Sequence, residues 1–255
     1  MNILFIGDII GSPGRKKISK ILPEIKQNYS IDFTITNGEN SAGGTGIVKK
    51  SVDEILSAGV DVITLGNHSF DRKEFTEIID MPCVVRPANY PENVPGKGFC
   101  VINNIAVVNL LGRFNMPLVD CPFRSADRVL EKLSTVNPQP STIIVDFHAE
   151  LTSEKQAMGY YLDGRVSVVL GTHTHIQTAD EKILSNGTGY ITDIGMVGSA
   201  DSVIGVEKSD VLKRFLTAMP TKFQVAKDNI VFNGVVLTVN KHTGKCEKID
   251  RLVIK

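Results

Sequence analysis

Several short apolar, β-branched runs in this chain end in side chains that can hold a metal ion. Residues 3–6 lead through Gly7 to Asp8, and residues 33–36 lead through Asn37 and Gly38 to Glu39 and Asn40. Residues 60–65 lead through Gly66 to Asn67 and His68, residues 142–147 end at His148, and residues 166–170 lead through Gly171 and Thr172 to His173, Thr174 and His175. Carboxylate, amide oxygen and imidazole without thiolate suit iron or manganese, with zinc as a third option, and disfavour a cysteine-type zinc site or a calcium site. In an extended backbone, His173 and His175 would project to one side with α-carbons roughly 6.5–7 Å apart. That spacing suits ligands straddling two cations about 3.5–4 Å apart.

Charge then selects a guest. Two divalent cations carry four positive charges, and Asp8 with Glu39 supplies two negative ones. A hydroxide and a phosphodiester monoanion cancel the surplus, whereas a neutral peptide does not. The expected chemistry is hydrolysis of a phosphodiester by attack of a metal-bridging hydroxide.

Each residue also has a local reading. Asp8 could cap a helix or close a turn, Glu39-Asn40 could lie in a glycine-rich surface loop, and Gly66-Asn67-His68 could form a turn. His148 could be a hydrogen-bonded core residue. The combination favours one shared site, because four of the five histidines fall at run ends and only His242 stands in a plain turn sequence. Asp71, Arg86, Asp146, Glu150, Arg165 and Asp193 are read as supporting or structural partners. The stretch from Gly7 to Gly14 is not G-x-G-x-x-G, so a dinucleotide loop is disfavoured.

The elements that must bring these positions together alternate between strand and helix, the rhythm of an α/β chain. Ligands of such sheets bind beyond the carboxyl ends of the strands. Gly7, Gly38, Gly66 and Gly171, each just ahead of a polar group, are expected to supply backbone dihedrals that only glycine adopts cheaply. Ser12 is expected to cap a helix with Pro13 at its first position, continued by Ile18, Ile21, Leu22 and Ile25 and kinked or shortened at Pro23. Further helices are expected over 49–57, 72–79, 125–135, 153–162 and 208–217. After residue 222, alternating strands broken at Asp228-Asn229 and His242-Thr243-Gly244 predict an antiparallel meander.

With 42% hydrophobic and 22% charged residues, the 255-residue chain is expected to form one domain over 1–255. Its 28 basic and 28 acidic residues balance, which gives no global pull toward duplex nucleic acid or a membrane. The apolar start is brief, lacks a basic leader and meets Asp8, so it reads as a strand and not a signal peptide. Cys83, Cys100, Cys121 and Cys246 are far apart and form no C-x-x-C pair. Reduced thiols and a cytoplasmic location are expected.

The ordered motifs resemble those of the calcineurin-like metallophosphoesterases, D-x-H, G-D-x-x-D, G-N-H-[DE], H and G-H-x-H. Two positions depart: Ile10 stands where most members have the first-motif histidine, and Glu39-Asn40 replaces the second-motif aspartates. Those departures are the pattern of one subfamily, the bacterial YmdB-type phosphodiesterases. The chain is similar to that subfamily at GDIIGSPGR, NGENSAGG, GNHSFD, VRPANYP, DFHAELTSEK, DGR, VLGTHTHIQTAD and YITDIGMVG, almost from Met1 to Lys255.

The resemblance implies a four-layer α/β/β/α sandwich of two packed sheets flanked by helices. It implies one metal on Asp8, Glu39, Asn40 and His175 and a second on Glu39, Asn67, His148 and His173, with Glu39 bridging. His68 would protonate the leaving oxygen or stabilise the phosphoryl group electrostatically. The implied substrates are 2′,3′- or 3′,5′-cyclic nucleotides, with an RNA-related phosphodiester as a further option, and a homo-oligomer is expected. After Gly198, relatives commonly continue Pro-Tyr where this chain has Ser199-Ala200, a difference that bears on specificity. Two other classes stay open: a metal-dependent amidohydrolase, which would carry H-x-H on its first strand, and a regulator that binds a nucleotide or RNA end with little catalysis.

Overall fold

A computed structural model describes residues 1–255. In chain order the strands are β1 (Asn2–Ile6), β2 (Asp8–Ile9), β3 (Phe33–Asn37), β4 (Val62–Thr64), β5 (Val84–Val85), β6 (Phe99–Ile102) and β7 (Ile105–Leu111), then β8 (Thr142–His148), β9 (Val168–Thr172), β10 (Lys182–Ile183), β11 (Gly189–Ile191), β12 (Met196–Ser199), β13 (Ile230–Val239) and β14 (Cys246–Ile254). The helices are α1 (Gly11–Asn28), α2 (Lys49–Ser57), α3 (Pro122–Ser134), α4 (Thr152–Tyr161) and α5 (Lys208–Thr217).

The strands form two sheets. One runs β2-β12-β13-β1-β3-β4-β5 with β14 on β13, and the other runs β10-β11-β9-β8-β7-β6. Side chains alternate across each strand, and three apolar layers result. On β1, Leu4 and Ile6 face Ile18 and Leu22 of α1 and Val52 and Ile55 of α2. Ile3 and Phe5 point the other way, into the space between the sheets, where they join Val107, Ile144 and Val168. On β7, Ala106, Val108 and Leu110 pack with Val129 and Leu133 of α3 and Met158 of α4. Helix, sheet, sheet and helix therefore stack in four layers, the architecture the resemblance implies.

Strands β1, β3, β4 and β5 are parallel neighbours, as are β7, β8 and β9. Parallel pairing is what brings the carboxyl ends of β1, β3 and β4 to one rim and those of β8 and β9 to one rim of the facing sheet. The chain end forms the expected antiparallel set, with β13 pairing β1, β12 and β14.

Several local expectations are corrected. Helix α1 begins at Gly11, its N-cap is Ile10 with no side-chain cap bond, and Ser12 lies inside it. The helix continues through Pro23 to Asn28, because that proline removes only one backbone donor from a helix whose apolar face is already buried. Residues 73–77 form a short 3₁₀ turn where a helix over 72–79 was expected. Short strands β2, β5, β6, β10, β11 and β12 were not anticipated, since runs of two to four residues have too little periodicity to read. All four cysteines are free thiols, and no helix is long and apolar enough to cross a membrane.

Candidate metal centre

The facing rims of the two sheets bring all seven expected ligands into one continuous contact network. Asp8 begins β2, directly after β1; Glu39 and Asn40 follow β3; Asn67 and His68 follow β4; His148 ends β8; and His173 and His175 follow β9. Asp8, Glu39, Asn40 and His148 are buried.

At one end of the network, three acceptor-type atoms surround a single nitrogen. His148 Nε2 lies 3.0 Å from Glu39 Oε1, 3.0 Å from Asn67 Oδ1 and 3.0 Å from His173 Nδ1. One N–H proton cannot serve three acceptors, whereas a cation drawn among them can. Glu39, His148 and His173 offer donor atoms that all lie within 4.8 Å of one another. At the other end, Asp8 Oδ2 is 3.5 Å from His175 Nε2, and the Asn40 amide nitrogen is 3.2 Å from the same Nε2. Asn40 also reaches Glu39 Oε1 at 3.3 Å, so Glu39 links the two halves.

Asp8 supplies a second test of fit. Its Oδ2 accepts the His173 backbone N–H at 2.9 Å, but its Oδ1 is buried with no partner. An unpaired buried carboxylate oxygen is costly, and a coordinated cation removes that cost. The donor set and the orphaned oxygen both fit metal binding.

Each of the three imidazoles is oriented by the nitrogen that faces away from the cluster. Thr172 Oγ1 donates to Asp146 Oδ1 at 2.6 Å and is therefore left to accept from His148 Nδ1 at 2.8 Å, which turns His148 Nε2 inward. Glu150 lies 3.1 Å from His173 Nε2, and that fixes Nδ1 as the inward atom. The Ile204 carbonyl accepts from His175 Nδ1 at 2.8 Å and leaves Nε2 beside Asp8. Such outward partners fix the tautomer that a metal ligand requires.

Burial and charge act strongly here. Burial alone would raise Glu39, yet the His148 charge and hydrogen bond, with His68, hold it down to about 2. Burial would lower His148, and Glu39, Asp8 and Asp146 instead push it up to about 9. His173 is driven down to about 2 by burial and by the His148 charge. Burial also lowers His175 and raises Asp8 and Asp146.

Two geometric expectations change. His173 has φ 95° and His175 φ 66°, so the segment is not extended, and the two rings reach different ends of the network because the backbone turns left-handed there. Asp193 stabilises that turn: it accepts from the Thr174 amide at 3.1 Å and hydroxyl at 2.7 Å, and pairs with buried Lys155 at 2.7 Å. Gly7, Gly38, Gly66 and Gly171 are not among the glycines with positive φ. Their role is space. A Cβ on Gly66 would lie 2.5 Å from both Glu39 Oε2 and His148 Nε2, and one on the others would overlap the Gly195 carbonyl, the Ile63 side chain or the Thr192 carbonyl.

His68 sits at the edge of the network. Its backbone N–H donates to Glu39 Oε2 at 2.8 Å, and its Nδ1 is 2.6 Å from Asp71 Oδ2. Among the expected supporting residues, Asp71, Asp146, Glu150 and Asp193 touch the site. Arg86 binds the carbonyls of Pro87, Val94 and Pro95, and Arg165 pairs with Asp127, so both serve structure elsewhere. His242 lies in the turn before β14, where its backbone N–H binds Asn240.

Sequence reading missed Asn37, Thr64 and Thr172. Asn37 and Thr64 both donate to Asp146, at 3.3 and 2.5 Å, and complete the buried support behind His148. Each is the polar last residue of its strand, β3 or β4, a position that the apolar runs alone do not mark. Ile204 was also missed, because its contribution is a backbone carbonyl.

The chain matches the model of a family described as YmdB-like protein over residues 4–252. It is 46% identical over 259 residues to the 2′,3′-cyclic-nucleotide 2′-phosphodiesterase of Bacillus subtilis (strain 168), a comparison covering 100% of this chain and 97% of that one. Among solved structures, a hypothetical protein from Thermus thermophilus superimposes with a TM-score of 0.92 at 41% identity, covering 100% of this chain and 99% of that one. A novel phosphatase from Mycoplasma pneumoniae gives a TM-score of 0.92 at 34% identity, covering 100% and 93%.

Proposed function

The chain belongs to the YmdB-like protein family, and on that premise we propose that it is a metal-dependent phosphodiesterase that opens the ring of 2′,3′-cyclic nucleotides. The relative from Bacillus subtilis bears that activity in its name. The observation that carries the reading is the crowding of Glu39, Asn67 and His173 around His148 Nε2, each at 3.0 Å, in a pocket where Asp8 keeps an unpaired buried oxygen.

Asp8, Glu39, Asn40 and His175 would hold one cation, and Glu39, Asn67, His148 and His173 a second, with iron or manganese favoured by the oxygen and imidazole donors. When bound, the pair would supply Lewis acidity toward the phosphoryl oxygens and toward the attacking water.

The chain's own contributions are orientation and proton delivery. Thr172 with Asp146, Glu150, and the Ile204 carbonyl lock the three imidazoles, so the site needs little reorganisation when substrate arrives. Glu39 accepts the His68 backbone N–H and so ties the acid-carrying loop to the ligand set. Asp71 holds His68 Nδ1, which leaves Nε2 to protonate the leaving 2′-oxygen. Water adds to phosphorus, the P–O2′ bond breaks, and the product is a nucleoside 3′-phosphate.

Turnover of 2′,3′-cyclic AMP by manganese- or iron-loaded protein, with separation of the 2′- and 3′-phosphate products, tests this. Accumulation of the 3′-phosphate is expected. A metal-loaded protein that binds the nucleotide without consuming it would instead mark a regulator.

A further inference from the structure

The segment over residues 199–206 leaves the end of β12 and reaches His175 at Ile204 before it meets residues 225–226, where Val206 bridges Val225 and the Ala226 N–H donates to the Gly205 carbonyl at 3.0 Å. Val203 and Val206 exchange backbone hydrogen bonds at 3.0 Å around its tip. Ile204, at that tip, has φ 49°, a strained value for a β-branched residue. It is 45% exposed, so burial of its own side chain does not hold that conformation. The conformation nevertheless matters, because the Ile204 carbonyl accepts from His175 Nδ1 at 2.8 Å and leaves Nε2 facing Asp8.

Two other side chains hold the turn. The Ser202 hydroxyl donates to the Ser199 carbonyl at 2.5 Å and accepts the Gly205 N–H at 2.8 Å, so one side chain ties together both ends of the turn. Ile10, which stands where most calcineurin-like metallophosphoesterases have a histidine, is buried beneath it. A Cβ on Gly205 would lie 2.7 Å from the Ile10 side chain, and one on Gly198 would lie 3.0 Å from it. Gly205 also has φ 95°, and the turn can close onto Ile10 only with glycine there.

The geometry points to Ser202 as a positioning residue for His175: its hydroxyl clasps the turn over Ile10 and so sets the direction of the Ile204 carbonyl and the tautomer of the His175 ring. Ser202 acts through Ile204 and takes no part in the chemistry. The clasp is a property of the metal-free chain, and only its consequence for metal binding rests on the proposed ligand role of His175.

Nitrogen-15 NMR of the neutral imidazoles in metal-free protein tests the clasp without reference to catalysis. In the unaltered protein His175 is expected to carry its proton on Nδ1. Ser202→Ala is expected to show both tautomers and to bind Mn²⁺ about tenfold more weakly, while Ser202→Thr, which keeps the hydroxyl, restores both properties. A general loss of stability would not change the tautomer. Hydrogen exchange on the unaltered protein needs no variant: the Gly205 amide should be protected. A His175 that keeps its Nδ1 proton in Ser202→Ala, a Ser202→Thr protein that behaves like Ser202→Ala, or an unprotected Gly205 amide would overturn the clasp. A changed tautomer with unchanged Mn²⁺ affinity would uphold the clasp and overturn the place of His175 among the ligands.

Discussion

Asp71 Oδ2 lies 2.6 Å from His68 Nδ1, while the His68 backbone N–H donates to Glu39 Oε2 at 2.8 Å. One residue is thus tied through its ring to an outer carboxylate and through its backbone to the central one. In the proposed mechanism the pairing leaves Nε2 for the substrate, and proton delivery is then separate from metal binding.

His68→Ala should therefore keep its metal content and lose about 10²- to 10⁴-fold in kcat, the range for removing a general acid. Metal analysis beside steady-state kinetics checks this. Metal loss equal to that of a ligand variant would show that His68 coordinates directly.

Asp71→Asn should reduce kcat by less than His68→Ala, because its carboxylate orients the ring but does not transfer the proton itself. Steady-state kinetics of this variant beside the unaltered protein measures the effect.

Glu39→Gln removes the group that contacts Asn40 and His148 and accepts the His68 amide. The expected outcome is loss of bound metal and of turnover together, read by elemental analysis and cyclic-nucleotide hydrolysis. A metal-loaded Glu39→Gln protein that works at the unaltered rate would contradict the bridging role.

Gly66→Ala places a methyl group 2.5 Å from Glu39 Oε2 and His148 Nε2. Metal affinity should fall by about tenfold or more, because core groups at native density cannot yield that much space without moving. Titration of the metal-free variant with Mn²⁺ measures the loss.

The Glu39–His148 pair makes metal uptake pH-dependent. His148, pushed up to about 9, must release its Nε2 proton to become a ligand. Affinity of the metal-free protein should then drop about tenfold per pH unit below that value and level off above it. The stability signs are opposite for the two partners. The His148 contribution is complete below its unfolded pKa and is lost as pH rises through about 9. The Glu39 contribution is complete above its unfolded pKa and is lost as pH falls through about 2. Melting of metal-free protein across pH 6–10 should show the alkaline loss, and added metal should remove it.

The clustering of the candidate ligands was legible because their chemistry is written in side chains at the ends of apolar runs, and parallel pairing sends such ends to one rim. Asp8, His148 and the His173–His175 pair could be placed on that rule alone. The second tier was less legible. Thr172 looks like any strand threonine until Asp146 takes its proton and His148 needs its lone pair. Ile204 contributes a carbonyl, which every residue has. The glycines carried the right positions with the wrong reason: Gly66 leaves room for His148 and Glu39 where an unusual dihedral was expected. The turn at His173 and His175 was hidden for the converse reason, since non-glycine residues with positive φ leave no mark in the sequence.

Anomalous diffraction at the manganese edge from crystals of manganese-loaded protein addresses the metal centre most directly. Two peaks are expected, one among Asp8, Glu39, Asn40 and His175 and one among Glu39, Asn67, His148 and His173. No peak at these residues, or metal bound elsewhere in a protein that still hydrolyses 2′,3′-cyclic AMP, would contradict it.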